Sequence, residues 1–223
     1  MKVSVIVPAY NEEGYIKDCL ESILTQTVNP DEIIVIDNNS TDKTAQIARK
    51  MGARVVKEEK QGMIYARNKG FDIAKYEILT RCDADAQVSP DWIERIKFNF
   101  ANYKIDALSG PILFYDSIIK SPLPAEIYSK FMRIILKGNE TLIGPNMSLT
   151  KNIWQRVKHL VCLDDGIVHE DIDLSINITK VGGKIIHDKK LIVRTSARRI
   201  KENPSSFFTE YPLRVFKTLW VNR

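Results

Sequence analysis

"YEILTRCDADAQVSP", residues 76–90, decides how the chain is read. The apolar run from Tyr76 to Thr80 has the length and content of a buried strand. It ends at once in two carboxylates placed two residues apart, Asp83 and Asp85. Ser89 and Pro90 then carry the signature of a helix start, with Ser89 as N-cap and Pro90 at the first helical position. "CDADAQ" is therefore a strand-to-helix loop that sets two acids side by side. Their repulsion is offset by a cation or lost to water.

The same strand-to-helix grammar extends back to the start of the chain. "KVSVIVPAY" is a strand, followed by the helix "GYIKDCLESILTQ" with Ile16, Leu20, Ile23 and Leu24 at helical spacing. "EIIVID" is a second buried strand; "NNSTDKTAQIARKMG" is a helix with Ser40 or Thr41 as N-cap and Gly52 as its stop. "ARVVKE" and "MIYARNKGFDIAK" add a third strand and helix, which lead to the strand at Tyr76. Four alternations in about 90 residues predict an α/β domain, a Rossmann-like, mostly parallel sheet with helices on both faces. Ligands of such sheets bind at the carboxyl ends of the strands, where Pro8–Glu12, Asp37–Ser40 and Asp83–Gln87 all lie.

Beyond Ile105 the pattern loosens. "DALSGPILFYD" reads as strand, "PLPAEIYSKFMRIIL" as helix, and "TLIGPNMSLT" as strand or loop. "HEDIDLSINITKVGG" is a helix with Leu174, Ile178 and Val181 on one face and Gly182 at its end, and "KIIHDKKLIVRTS" forms two short strands. Without a repeat or clear linker, a single domain is expected over residues 1–203, with a nucleotide-binding half at 1–104 and an acceptor half at 105–203. Residues 204–223 form an amphipathic, aromatic C-terminal segment.

Composition narrows the partners. Thirty-three basic against 28 acidic residues give a net charge of +5, which suits a phosphorylated ligand or an anionic membrane surface. The basic residues are scattered, so nucleic acid is not an expected partner. Cys19, Cys82 and Cys162 are odd in number and lack CxxC spacing, which predicts reduced thiols and a cytoplasmic location. His159, His169 and His187 make no zinc pattern. No apolar run approaches the roughly 18 residues of a spanning helix. A strand that opens at Lys2 leads us to expect no signal peptide.

Each polar loop admits a chemical reading and a plain structural one. If strand geometry persists, Asp83, Asp85 and Gln87 face one way and offer oxygen ligands to a hard divalent cation; otherwise they form a solvated acidic loop. Asp37 and Asn38 can accept from a nucleobase or ribose; the plain reading, capping of the next helix, falls to Ser40 or Thr41 or to Asp42 and leaves Asp37 unused. "VPAYNEE" is a proline-fixed turn able to receive a base edge, or an ordinary strand exit. Arg67, one turn into a helix after Gly62, reaches a diphosphate or lies exposed. Glu170 and Asp171 begin a helix whose dipole favours their ionised forms; one of them takes a proton from an attacking hydroxyl, or both merely decorate the helix start. Arg198 and Arg199 are a phosphate clamp or a solvated basic turn.

Together, "SVIVPAYNEE", "EIIVIDNNSTDKT", "ARNKG", "CDADAQ" and "HEDIDLS", in this order, resemble the family 2 glycosyltransferases of the GT-A fold over residues 1–190. The resemblance implies inverting transfer from a nucleoside-diphosphate sugar, UDP- or GDP-linked, with Mg²⁺ or Mn²⁺ as cofactor. It carries Pro8, Ala9, Tyr10 and Glu12 to the nucleotide-contacting loop and Asp37 with Asn38 to base recognition. Gly62, Arg67, Asp83 and Ala84 complete the donor set. Asp83, Asp85 and Gln87 fall on the metal side, and Asp171 on the general base. Gly144, Asn146, Glu170, Arg198 and Arg199 fall on the acceptor and phosphate side. The QxxRW motif of processive synthases is absent, which argues against a polymerase.

The expected acceptor is a hydroxyl of a glycan or glycolipid. A polyprenyl-phosphate acceptor, already ionised and needing no base, is the alternative within the family, and Gln87 favours it. A nucleotidyltransferase would need a Gly-rich basic loop after the first strand, which "PAYNEE" is not; a non-catalytic nucleotide-sugar-binding module would not need the DAD and HED motifs. In the tail, Phe208, Tyr211, Val215, Phe216, Leu219 and Trp220 recur at helical spacing with Arg214 and Lys217 between them. Helix is expected from Pro212 to Val221, docked on the core or lying on the inner face of the cell membrane as a peripheral anchor.

Overall fold

The computed structural model describes the backbone of residues 1–117 and 123–223, and the side chains of these except 123–126, 128, 199, 200 and 204–208. In chain order the first half runs β1 (Val3–Ala9), α1 (Ile16–Leu24), β2 (Glu32–Asp37), α2 (Thr44–Lys50), β3 (Arg54–Lys57), α3 (Met63–Ile73) and β4 (Ile78–Arg81). It continues with β5 (Gln87–Val88), α4 (Trp92–Asn102), β6 (Ala107–Ser109), β7 (Ile112–Phe114), α5 (Leu123–Ile135) and β8 (Met147–Thr150). The last elements are α6 (Lys151–Val157), α7 (Glu170–Lys180), β9 (Ile185–His187), β10 (Val193–Thr195), α8 (Arg198–Glu202) and α9 (Pro204–Val221).

Among the described residues, seven strands form one sheet in the order β3-β2-β1-β4-β8-β6-β9, and β5, β10 and β7 form a second, small one. β1 is parallel to both β2 and β4, so the loops after all three strands leave the sheet at one edge. β8 runs antiparallel to β4 and β6 and joins the halves into one sheet. Every residue of β1 is buried, as a strand covered on both faces must be. Val3, Val5 and Val7 join the core made with Ile16, Leu20 and Ile23 of α1 and Trp92, Ile93 and Ile96 of α4. Ile6, with Ile34 and Ile36, belongs to the opposite core, shared with Phe71, Trp154, Leu174 and Ile178. Burying each of these large apolar side chains contributes roughly 1.5–3 kcal/mol. α3 comes close to β1 because position 70 is glycine: a Cβ there would stand 2.3 Å from Ile6 Cγ2.

Local expectations differ from the structure at several points. Strand β4 starts at Ile78 and includes Arg81, one residue beyond the apolar run. Ser89 is not an N-cap. Its carbonyl accepts from Trp92 N at 3.0 Å in a turn, and α4 begins after Asp91. Neither Ser40 nor Thr41 caps α2; the Asp42 carboxylate does so, accepting from Thr44 N at 2.9 Å and from its hydroxyl at 2.5 Å. Gly52 does end that helix, at φ 84°. Leu24 is exposed because α1 turns its last residue away from the sheet.

The tail helix α9 begins at Pro204, earlier than expected, since proline is well accommodated at a first helical position. It then passes through Pro212. α9 docks through polar groups: Thr218 Oγ1 accepts from His169 N at 2.8 Å and Arg214 donates to the Val168 carbonyl at 2.8 Å, while Asn222, just past the helix, donates to Asp173 at 2.8 Å. Leu213, Phe216 and Trp220 stay exposed, at 54%, 63% and 64%. No helix among the described residues is long and apolar enough to cross a membrane.

Candidate functional site

β4 delivers to the sheet edge a charge that the sequence reading passed over. Arg81 ends the strand 2% exposed, and a buried guanidinium needs partners. It donates to Asp83 Oδ1 at 2.7 Å and, through its other terminal nitrogen, to Glu170 Oε1. Arg67 on α3, also fully buried, donates to the second carboxylate oxygen, Glu170 Oε2, and to the Glu170 carbonyl at 2.8 Å. Arg67 is thus neither exposed nor directed at a diphosphate; it is held by Glu170. Burial alone would raise the proton affinity of Glu170, but the charges and hydrogen bonds of Arg81 and Arg67 outweigh it and hold the carboxyl below its usual range.

The neighbouring acid behaves in the opposite way. Asp171 accepts from Gly144 N at 3.0 Å and from Ile172 N at 2.9 Å, yet its pKa is pushed up to about 6. Desolvation is the main cause, and the charge of Glu170 adds to it. The expectation that the helix start keeps Asp171 fully ionised is therefore corrected: desolvation and a like charge outweigh the dipole. Gly144 keeps this corner open. A Cβ there would lie 3.2 Å from Glu170 Oε1 and 3.7 Å from both Arg81 Nη2 and Asp171 Oδ2.

On the other side of Asp83 the loop does not continue as a strand. Ala86 N donates to the Asp83 carbonyl at 3.0 Å, closing a turn after which Asp83, Asp85 and Gln87 each meet a different partner. Asp83 goes to Arg81. Asp85 Oδ1 accepts from Thr195 Oγ1 at 3.0 Å, and its Oδ2 lies 3.3 Å from Arg198 Nε. Gln87 lies in β5, paired with Arg194, so the expected three-residue ligand face is not formed. Arg198 also donates to Glu12 and sits 4.5 Å over the Tyr15 ring. Asp83 and Asp85 remain two hard oxygen donors on one loop, each already drawing a cationic group, and their chemistry suits Mg²⁺ or Mn²⁺. Among the described residues no three His, Cys, Asp or Glu side chains form an ion cage, so phosphate oxygens of a ligand would have to complete the coordination.

The remaining predicted residues divide. Pro8 and Ala9 end β1, Tyr10 is 49% exposed beside them, and Glu12 is buried with its backbone N–H on Thr44 Oγ1 at 2.7 Å. Asp37 stands opposite Ala9 at the end of β2 and accepts from Ser40 N at 3.1 Å. Ala84 is buried next to Asp85. Asn38 does not offer itself to a base. It accepts from Gly62 N at 2.8 Å and donates to the Glu58 and Lys60 carbonyls at 3.0 and 2.6 Å, bracing the loop before α3. Asn146 is likewise structural: it accepts from Trp92 Nε1 at 3.0 Å and donates to the Leu191 carbonyl at 2.7 Å, fully buried. The Arg199 side chain lies outside the described residues. Removing the Glu170 carboxylate strands two buried guanidiniums, so Glu170→Ala is expected to cost on the order of 3–5 kcal/mol, read as a lowered urea midpoint.

Comparison with known proteins agrees with this architecture. The family model "Glycosyl transferase family 2" matches residues 4–162. The glycosyltransferase AglE of Haloferax volcanii is 31% identical over 162 residues, 69% of this chain and 52% of that protein, so the chain spans about half the length of this relative. Among solved structures, glucosyl-3-phosphoglycerate synthase from Mycobacterium tuberculosis, bound to Mn²⁺, UDP and glucosyl-3-phosphoglycerate, has a TM-score of 0.75 at 19% identity, covering 99% of this chain and 79% of that one. The mannosyltransferase PcManGT from Pyrobaculum calidifontis, bound to GDP-Man and Mn²⁺, has a TM-score of 0.70 at 22% identity, covering 87% and 56%. The fold is the GT-A fold that the resemblance implied. The family match covers most of the chain and takes in both the strand-end loops and β8, and the chain belongs to glycosyl transferase family 2.

Proposed function

We propose that the chain is an inverting, metal-dependent glycosyltransferase that moves a sugar from a UDP- or GDP-linked donor to a hydroxyl of a glycan or lipid-linked acceptor. The observation that carries this reading is the convergence of Asp171, Glu170 and Arg81 around Gly144, one hydrogen bond from Asp83. A carboxyl pushed up to about 6 is ionised at neutral pH yet has enough proton affinity to act as a base. Asp171 accepts the acceptor's hydroxyl proton as that oxygen attacks the anomeric carbon from the face opposite the diphosphate. Asp83 and Asp85 would hold Mg²⁺ or Mn²⁺, which supplies positive charge to the departing diphosphate. The Mn²⁺ and the UDP and GDP-Man bound by the structural relatives support this donor side. A phosphate acceptor would leave the proton affinity of Asp171 without a use, so the hydroxyl is the better match.

The exposed face of α9 points to where the acceptor is met. Polar residues hold the helix to the core, and Leu213, Phe216 and Trp220 face outward with Lys217 exposed beside them. An apolar face flanked by cations suits an anionic lipid surface, and a lipid-linked acceptor is presented there.

Four outcomes are expected. In thermal-shift titrations with UDP- and GDP-sugars, Mn²⁺ strengthens donor binding to the native chain, and Asp85→Ala abolishes that dependence; a metal effect that survives the substitution rejects the metal site. Asp171→Asn lowers turnover by about 10²–10⁴-fold with donor binding retained. In the native enzyme, kcat/KM falls as pH drops below about 6, where the base becomes protonated. A profile flat down to pH 5 assigns the base elsewhere. The chain co-sediments with vesicles containing anionic lipid, and Phe216→Glu with Trp220→Glu releases it without unfolding, since both side chains are exposed; equal sedimentation removes α9 as the anchor.

A further inference from the structure

Asp85, the carboxylate best placed to meet a metal, has both oxygens engaged by residues at the end of β10 and the start of α8. Thr195 Oγ1 donates to Oδ1 at 3.0 Å, and Arg198 Nε lies 3.3 Å from Oδ2. The same guanidinium donates to Glu12, on the loop after β1, and rests 4.5 Å over the Tyr15 ring. One cation thus bridges two carboxylates that are each 8% exposed, at the strand-end edge where the donor is read to bind. The segment is pinned from below: Asp116 accepts from Ser196 Oγ at 2.8 Å and from Ala197 N at 2.7 Å, and Lys201 Nζ lies 3.2 Å from it. Ser196 and Ala197 are therefore anchored while the Arg198 side chain, 21% exposed, reaches over the site.

A divalent cation and a guanidinium cannot share Asp85 Oδ2. Both are positive, and at contact distance they repel each other. A diphosphate reverses the balance by offering the planar guanidinium a pair of oxygens that match its donors. We propose that Arg198 is a switchable cation of the donor site: without ligand it occupies Asp85 and Glu12 in place of the metal, and when a nucleoside diphosphate enters with its metal it leaves Asp85 and turns onto the diphosphate. Metal and nucleotide then bind as a unit, because the metal alone must displace Arg198 with no phosphate to receive it. Tyr15 is the ledge that holds the guanidinium in the ligand-free position. The inference rests on the donor-site reading proposed above.

The test reads binding rather than turnover. Free Mn²⁺ is followed by electron paramagnetic resonance as it is titrated into the native chain, Arg198→Gln, Arg198→Lys and Tyr15→Leu, with and without UDP or GDP. Circular dichroism confirms that each chain is folded. A latch closed about nine-tenths of the time weakens apparent metal affinity tenfold, so Arg198→Gln is expected to bind Mn²⁺ alone about tenfold more tightly than the native chain. At saturating Mn²⁺ the same variant binds the nucleotide about tenfold more weakly, having lost a charge-assisted contact. Arg198→Lys recovers part of the nucleotide affinity. Tyr15→Leu, which keeps the guanidinium, shifts metal binding in the same direction as Arg198→Gln and answers the question if that variant does not fold. Unchanged or weaker Mn²⁺ binding in Arg198→Gln and Tyr15→Leu, with nucleotide binding to the native chain intact, overturns the switch and leaves the donor site standing. Failure of the native chain to bind either nucleotide with Mn²⁺ overturns the donor-site reading and the switch with it.

Discussion

Two buried guanidiniums share one carboxylate, and the rest of the site is arranged around that pairing. Arg67 comes from α3, Arg81 from the end of β4 and Glu170 from the start of α7, so three elements far apart in sequence meet at a single charge cluster. Charges this deep persist only when each finds partners, because desolvation of an unpaired ion costs several kcal/mol. The cluster fixes the relation between the sheet edge and α7, and it passes that geometry to both neighbours. Through Arg81 it positions Asp83 in the acidic loop; through the negative charge of Glu170 it raises the proton affinity of Asp171.

Two acids adjacent in sequence are thereby pushed in opposite directions. Glu170 is held ionised by its guanidiniums, and Asp171 is left with desolvation and a like-charged neighbour. That separation is what turns a pair of carboxylates into one structural anchor and one candidate base. A similar pairing operates at Asp85, a buried carboxylate that Thr195 and Arg198 satisfy at the end of β10 and the start of α8.

The tail shows a different balance. α9 turns polar residues to the core: Thr218 and Arg214, with Asn222 just past the helix, satisfy backbone and side-chain groups around the start of α7. Phe216 and Trp220 are turned outward, while Tyr211 packs against His169. Docking and surface exposure, which look like alternatives when only the sequence is considered, are both met by opposite faces of the same helix.

The alternation of apolar runs and amphipathic helices over the first 90 or so residues was enough to determine the α/β class, the parallel strands and the edge where the loops gather, because those follow from side-chain periodicity and connection geometry. The acidic loop and the Glu170–Asp171 pair were visible as residue types at strand and helix ends. What each polar side chain does was decided only by tertiary structure. Asn38 and Asn146 became braces, Arg67 was buried rather than exposed, and Gln87 left the acidic face when the loop turned at Ala86. Arg81 had one legible signal, a charge at the end of a buried strand, but its partner lies 89 positions away. The strength of a buried charge depends on which groups face it and how much water is excluded, and neither is a property of local sequence.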